Sequence, residues 1–297
     1  MRTLVCAIAK NENHYLREWV EYYKELGFTN ICIYDNNDID GEHFDEVIGD
    51  YIQSGFVIVK NRRGMKGSIN WAGHYYDDKN WTCRSIQIEC YDDCYHTIAN
   101  DYDWMLLVDI DEFLTFDDCN LASMLSNLIY QNYQFIAFSV IVYGDSDIIE
   151  TNGDYSIRKF TKLAVGNSPK FIKPIIRTRM HACHINSAHG FEWEKLWQNY
   201  NDEFIQGCLT TGQPLVKGAV RLYEYEYSKA YIKHYTTKTL EEWIDNKMNK
   251  GWPDNFNQYR QMDLDYFFGF NKLTQSKLDY LHLKGIDYDS NASVCNS

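Results

Sequence analysis

Between Thr3 and Val59 three apolar runs are separated by two helical patterns, and this alternation constrains the fold more than any other feature of the sequence. Thr3 to Ala9 (Thr-Leu-Val-Cys-Ala-Ile-Ala) reads as a strand. Leu16, Trp19, Val20, Tyr23 and Leu26 follow at the spacing of an amphipathic helix, which Gly27 stops. Asn30 to Asp35 is a second strand, the polar turn Asn36 to Gly41 leads into a helix around Phe44 to Ile52, and Phe56 to Val59 is a third strand. Strands joined by helices over such short connections specify a parallel sheet with right-handed crossovers.

The same alternation continues to the most informative stretch. Ile86, Cys90, Tyr91, Cys94 and Ile98 mark a helix from Arg84 to Ala99, which delivers the chain to Trp104-Met105-Leu106-Leu107-Val108. That apolar run is a buried strand by its composition. It ends in Asp109, Asp111 and Glu112 around Ile110, followed by Phe113-Leu114. Sheets of this class bind ligands outside the carboxyl ends of their strands, where Asp109 and Asp111 would stand as hard oxygen ligands for a divalent cation.

Further on, Asn120 caps a helix whose apolar face is Leu121, Met124, Leu125, Leu128 and Ile129, and Phe135 to Val142 is another buried strand. Strands are expected near Ser156 to Phe160, Lys170 to Arg177 and Lys217 to Leu222, with a short segment at Tyr231 to Tyr235. Thr239 caps a helix reaching about Asn249, with Glu242 at the capping-box position. The remainder reads as a small helical region, and residues 61–80 read as a long surface loop.

A chain of 297 residues can hold one large α/β domain and a smaller appendage. Its net charge of −13 argues against a protein that grips nucleic acid through phosphates, so a phosphate-bearing ligand would need local help such as a bridging cation. The 24 Tyr and 8 Trp can pack a core or line a groove that stacks on sugar rings. None of the nine cysteines forms a Cys-x-x-Cys pair, and His181-x-Cys183-His184 lacks partners for zinc. Cys6 and Cys32 lie inside strands, as reduced thiols do. With no signal-peptide pattern and no apolar run approaching about 18 residues, the expectation is a reduced, cytoplasmic protein.

Three stretches, in order and spacing, resemble the nucleotide-sugar glycosyltransferases of the GT-A fold, and most closely the family 2-like and family 92-like members. They are Ala9-Lys10-Asn11-Glu12 with Leu16-Arg17-Glu18-Trp19, then Tyr34-Asp35-Asn36-Asn37-Asp38-x-Asp40, then Asp103-Trp104 through Leu114. Lys170-Phe171-Ile172-Lys173-Pro174 and His234 through Trp243 resemble the later motifs of the group. At Gly144-Asp145-Ser146-Asp147-Ile148 the chain departs from the Gly-x-x-Gly-His loop of its relatives. The resemblance implies a Rossmann-like, mixed, mostly parallel sheet flanked by helices. Residues 1–238 would be the GT-A domain, with 1–118 the nucleotide-sugar half and 119–238 the acceptor half, and 239–297 the helical C-terminal region.

It also implies a chemistry. Departure of a nucleoside diphosphate from a sugar builds negative charge that a bridging cation stabilises. Asp111 is the expected direct ligand, Asp109 holds the ribose or the water shell of the metal, and His234 completes the site. One imidazole among oxygen ligands favours Mn²⁺ over Mg²⁺. Asp35 would accept hydrogen bonds from uracil or ribose, with Ala7, Ala9 and Glu12 as the wall of the base pocket and Ile110 beside Asp109. Arg62, Arg63, Lys66 and Lys238 are candidate diphosphate contacts, and Arg84 and Gln87 weaker ones. If transfer inverts the anomeric centre, as the resemblance implies, a carboxylate must deprotonate the acceptor; Glu192, Asp145 and Asp147 are the candidates. The donor implied is a UDP-sugar, by the same resemblance UDP-galactose. The acceptor is a glycan or a lipid-linked oligosaccharide, the latter at the inner face of a membrane with at most peripheral association. Two rivals stand: a sugar-nucleotide nucleotidyltransferase, although Lys10-Asn11-Glu12-Asn13 lacks its glycine-rich loop, and a non-catalytic nucleotide- or sugar-binding module.

Overall fold

The computed structural model describes residues 1–66, 85–165, 172–179, 185, 207–215, 227–250 and 262–288. The chain forms two compact units, one of Met1–Ile141 with Lys170–His234 and one of Val142–Pro169 with Tyr235–Ser297.

In the first unit, β1 (Thr3–Ala9), β2 (Asn30–Asp35), β3 (Val57–Asn61) and β4 (Trp104–Leu107) lie parallel in the order β3-β2-β1-β4. Helix α1 (Asn13–Glu25) joins β1 to β2, α2 (Asp45–Gln53) joins β2 to β3, and α3 (Ile86–Thr97) precedes β4. After building outward to β3 the chain returns to the other side of β1. The carboxyl ends of β1 and β4 therefore flank a topological switch point, where sheets of this kind open onto ligands. Beyond β4 the sheet becomes mixed. β7 (Ile172–Arg177) runs antiparallel to β4, β6 (Phe135–Val142) antiparallel to β7, and the order continues through β9 (Ala230–His234) to β5 (Glu112–Phe116). Strand β8 (Gly207–Leu209) lies parallel to β6. A Cβ on Gly207 would fall 2.1 Å from the Phe135 ring, so this close approach requires glycine.

Burial explains the elements. Tyr15, Leu16, Trp19, Val20 and Tyr23 form the buried stripe of α1, and Gly27 ends it at φ +91°. On α3, Ile86, Cys90, Tyr91, Cys94 and Tyr95 join Leu4, Cys6, Cys32, Met105 and Leu107 in one core. Cys6, Cys32, Cys90, Cys94, Cys119 and Cys208 are all free thiols. In the second unit, Leu240, Trp243, Leu264, Phe267, Tyr280 and Leu281 form a separate core. They come from α5 (Leu240–Glu242), which continues through a π-helical turn Trp243–Lys247 into α6 (Met248–Lys250), and from α7 (Leu264–Phe270) and α8 (Gln275–Leu283). Thr239 and Glu242 make the expected capping box.

Three local expectations are corrected. Ser156 to Phe160 is not a strand but a short 3₁₀ turn, Ile157–Lys159, capped by the Ser156 hydroxyl. The helix expected from Leu121 to Ile129 stops after α4 (Leu121–Leu125). Asn127 then caps a new 3₁₀ turn, Leu128–Tyr130, in which Leu128 is 76% exposed rather than part of an apolar face. Glu112 to Phe116, expected only as the residues that follow a strand end, is a strand of its own at the far end of the sheet order from β3. The strand expected at Lys217 to Leu222 lies outside the described residues.

Trp19 ties this frame to the segment between β4 and β5. Its indole N–H donates to the carbonyls of Asp109 and Glu112, each at 3.1 Å, while the Tyr23 hydroxyl donates to the Glu112 carbonyl at 3.0 Å. Replacing the fully buried Trp19 with Phe keeps most of the apolar volume and removes the donor. Trp19→Phe should therefore lower stability by about 1–3 kcal/mol, read as a reduced urea midpoint at unchanged slope.

Candidate functional site

The carboxyl ends of β1, β2 and β4 carry the expected residues. Ala7, Ala9 and Glu12 are buried at the end of β1 and the start of α1. Asp35 ends β2. Its Oδ1 accepts from the backbone N–H of Asn37 at 3.0 Å and from the Asn37 side-chain amide at 2.8 Å, an Asx turn. Its Oδ2 pairs with Arg63 at 2.8 Å. Arg63 spends its remaining donors on the carbonyls of Asp38, Ile39, Gly41 and Glu42, so its guanidinium staples the turn after β2. Arg62 lies over the Tyr34 ring and 3.6 Å from Asp93, and Lys66 is exposed.

The segment between β4 and β5 holds the densest charge. The Asp109 backbone N–H donates to Glu112 Oε2 at 2.9 Å, and the Glu112 N–H donates to the Asp109 carbonyl at 3.1 Å, so the turn closes on itself. Asp109 Oδ1 accepts from Gln87 at 2.5 Å and from the Tyr91 hydroxyl at 3.3 Å, both on α3. Its Oδ2 lies 2.9 Å from Lys173 Nζ, which also lies 2.9 Å from Glu112 Oε2. Lys173 sits on β7 with no solvent exposure. Ile110 is buried between the aspartates.

Asp111 points elsewhere. His234 is the residue directly opposite Glu112 in the antiparallel β5–β9 register, which puts their side chains on one face. His234 Nε2 lies 3.3 Å from Asp111 Oδ1, and its Nδ1 lies 3.6 Å from Glu112 Oε1. Burial acts to lower the His234 pKa, but the Asp111 and Glu112 carboxylates outweigh it and hold the imidazole above its ordinary range. Burial raises the Glu112 carboxyl against the pull of Lys173. For Lys173, burial is opposed by Asp109 and Glu112, which together hold its ammonium above the ordinary lysine range.

Among the described residues no group of three or more His, Cys, Asp or Glu side chains is arranged to hold a metal ion. What the turn offers is a pair, one carboxylate oxygen of Asp111 and one imidazole nitrogen of His234. The second ring nitrogen of that histidine faces a carboxylate, the usual surrounding of a ligating imidazole. Such a pair suits a divalent cation that draws its other ligands from water and a phosphate-bearing molecule.

The remaining candidates divide between the second unit and the undescribed segments. In the second unit, Asp145 is buried against Lys277 Nζ at 2.5 Å, and its Oδ1 accepts from the Asp147 N–H. Burial raises the Asp145 carboxyl despite its bond to Lys277. Asp147 is half-exposed and pairs with Lys162 at 2.6 Å, which lowers its carboxyl pKa. Lys238 is buried, with φ +55°. Glu192 and Arg84 lie outside the described residues.

Sequence reasoning gave no role to Lys173 or Tyr91. One signal was available for Lys173: a lone lysine inside Ile172-Lys173-Pro174-Ile175-Ile176 is a charge in a buried strand, and such a charge needs carboxylate partners.

Removing Lys173 leaves two carboxylates facing each other with little solvent. Lys173→Met should cost about 3–5 kcal/mol of stability, measured by urea unfolding. The folded protein also binds the His234 proton more tightly than the unfolded chain, whose value is 6.5. That contribution is complete below about 6.5 and is lost as pH rises through the higher folded value. The stability difference between wild type and His234→Leu should accordingly shrink on going from pH 6 to about pH 8.5 in paired denaturation curves.

A family model described as glycosyltransferase family 92 matches residues 4–267. A rice protein (Oryza sativa subsp. japonica) described as a glycosyltransferase family 92 protein is 27% identical over 112 residues, covering 38% of this chain. The chain spans only 16% of that relative's length. Among solved structures, S. aureus TarS is similar at a TM-score of 0.31 and 10% identity, over 48% of this chain and 22% of that one. A structure of S. aureus TarS residues 1–349 gives 0.33 and 12%, over 60% and 47%. Likeness at that level has no bearing on chemistry.

Proposed function

From the premise that the chain belongs to glycosyltransferase family 92, we propose that it is a divalent-cation-dependent glycosyltransferase. It moves a hexose, galactose in our reading, from a UDP-sugar to a glycan or lipid-linked oligosaccharide, with inversion at the anomeric carbon. The observation that carries the reading is the placement of Asp111 Oδ1 and His234 Nε2 3.3 Å apart beside the switch point of the parallel sheet. Asp109, meanwhile, is turned toward α3 and Lys173.

Each residue then has a definable task. Asp111 and His234 would hold Mn²⁺ or Mg²⁺, which when bound offsets the charge that develops on a departing diphosphate. Asp109, anchored at both oxygens and about a quarter exposed, would accept from a ribose hydroxyl on its exposed side. Asp35 and its Asx turn shape the loop that would flank the base, beside the buried Ala7 and Ala9 of β1. Gln87 and Tyr91 fix Asp109 from below. No helix among the described residues is long and apolar enough to cross a membrane.

Two measurements test this. Calorimetry should show UDP binding that strengthens at least about tenfold on adding Mn²⁺; metal-independent binding would count against the proposal. Asp111→Ala should abolish transfer and the metal effect while leaving the far-ultraviolet circular dichroism intact, because it removes a side chain between β4 and β5 and leaves the pairing of the strands in place; retained transfer would remove Asp111 from the metal role.

A further inference from the structure

Between the end of β1 at Ala9 and the start of α1 at Asn13 the chain turns at Asn11, whose φ of +53° lies in the left-handed region. Glycine adopts that conformation freely, whereas a residue with a side chain is strained there, asparagine less than most. A left-handed residue other than glycine persists only where its surroundings fix it. At Asn11 the fixing group comes from the turn after β2. Asn37 Oδ1 accepts from the Asn11 backbone N–H at 2.8 Å.

The Asn37 amide has only one workable orientation. Its Nδ2 donates to Asp35 Oδ1 at 2.8 Å, and the amide oxygen, an acceptor, would be repelled by that carboxylate. Arg63 holds the other Asp35 oxygen at 2.8 Å, so the carboxylate is fixed in turn. The Asn37 backbone is engaged as well, its N–H donating to Asp35 Oδ1 at 3.0 Å and its carbonyl accepting from the Gly64 N–H at 2.8 Å. Asn37 has no solvent exposure. With all its polar atoms partnered inside the protein, it acts on a ligand only through Asn11. Lys10 with Asp38 at 2.8 Å, and the Asn13 N–H with Glu42 Oε2 at 2.9 Å, flank this latch.

Its place in the sheet gives the latch a consequence. Strand β1 borders the switch point, so the turn that leaves its carboxyl end lies on the edge where ligands of such a sheet bind. Ala9 and Glu12, both buried, stand on either side of Asn11. We infer that Asn37 is a positioning residue that holds the Asn11 backbone left-handed and so fixes the shape of the pocket taking the base of the donor. The inference rests on the nucleotide-sugar reading above. It deepens that reading by tying base discrimination to a buried residue that itself touches no nucleotide.

The test has two arms on the full chain. In the first, without ligand, nuclear magnetic resonance reads the Asn11 cross-peak between its own amide and α protons, which is strong only at positive φ. Wild type should show it and Asn37→Ala should lose most of it; its absence from wild type, or its survival in the variant, overturns the inference. In the second, calorimetry with Mn²⁺ present gives the affinities for UDP and for ADP. Cation and diphosphate are common to both, so the ratio reports the base. Asn37→Ala should lower the preference for UDP by about fivefold, the equivalent of one hydrogen bond. Adding Asn11→Gly, which reaches the left-handed turn without the latch, should recover most of it. Mere destabilisation would reduce the active fraction for both nucleotides alike and leave the ratio where it was. An unchanged ratio therefore overturns the inference, as does a lowered ratio that Asn11→Gly does not raise. A wild-type protein with no preference for UDP would instead defeat the donor reading, and the first arm would still decide whether Asn37 holds the turn. Should Asn37→Ala not fold, Asn37→Ser, whose hydroxyl is too short to reach Asn11, carries the same expectations.

Discussion

A lysine ammonium without any access to solvent persists only where carboxylates surround it closely, and the segment between β4 and β5 is shaped by that demand. Lys173 Nζ holds Asp109 and Glu112 at 2.9 Å each. Those two residues are also the ends of a turn that closes through reciprocal backbone and side-chain bonds. Asp111, between them in sequence, is thereby pushed to the other side, where His234 waits on the neighbouring strand. One buried cation thus sorts three nearby carboxylates into two that face Lys173 and one, Asp111, that faces His234. The desolvation of the pair is costly taken alone, so its retention in this unit is better understood as specificity of placement than as a source of stability.

The sheet supplies the rest of the geometry. Parallel strands β3-β2-β1-β4 bring the ends of β1, β2 and β4 to one edge, and the chain's return to the other side of β1 puts a switch point between β1 and β4 there. Trp19 and Tyr23 on α1 bind the carbonyls of Asp109 and Glu112 from below, while Gln87 and Tyr91 on α3 bind the Asp109 carboxylate. The acidic turn is therefore anchored by helices from two separate crossovers and by a strand distant in sequence. Such anchoring is what a site needs if its groups are to be preorganised before a ligand arrives.

Much of this was legible in the sequence because the physics there is local. Continuous apolar runs with short connections give β1, β2, β4 and their parallel order, and an aspartate at the end of a buried strand is visible without coordinates. The strand Glu112–Phe116 was not legible, since Glu112-Phe113-Leu114 follows the acidic turn as too short an apolar stretch to mark a strand, and only its pairing with Ala230–His234 defines it. The breaks at Ser126-Asn127 and at Ser156 arise from polar side chains capping the next turn, and an apolar tally passes over them. The partners of Asp109 were hidden for another reason. Gln87 and Lys173 lie 22 and 64 residues away, and nothing in the spacing of a motif reports which side chains the sheet order will bring together. Arg63 shows the converse: a basic residue in a charged loop reads as a phosphate contact, yet its donors are taken by carbonyls of the turn after β2.

The central claim is that Asp111 and His234 hold a divalent cation between them. The direct measurement is electron spin echo envelope modulation of Mn²⁺ bound to the full chain in the presence of UDP. The account predicts a ¹⁴N coupling from one imidazole that disappears in His234→Leu. Bound Mn²⁺ with no nitrogen coupling, or a coupling that survives that substitution, would contradict it.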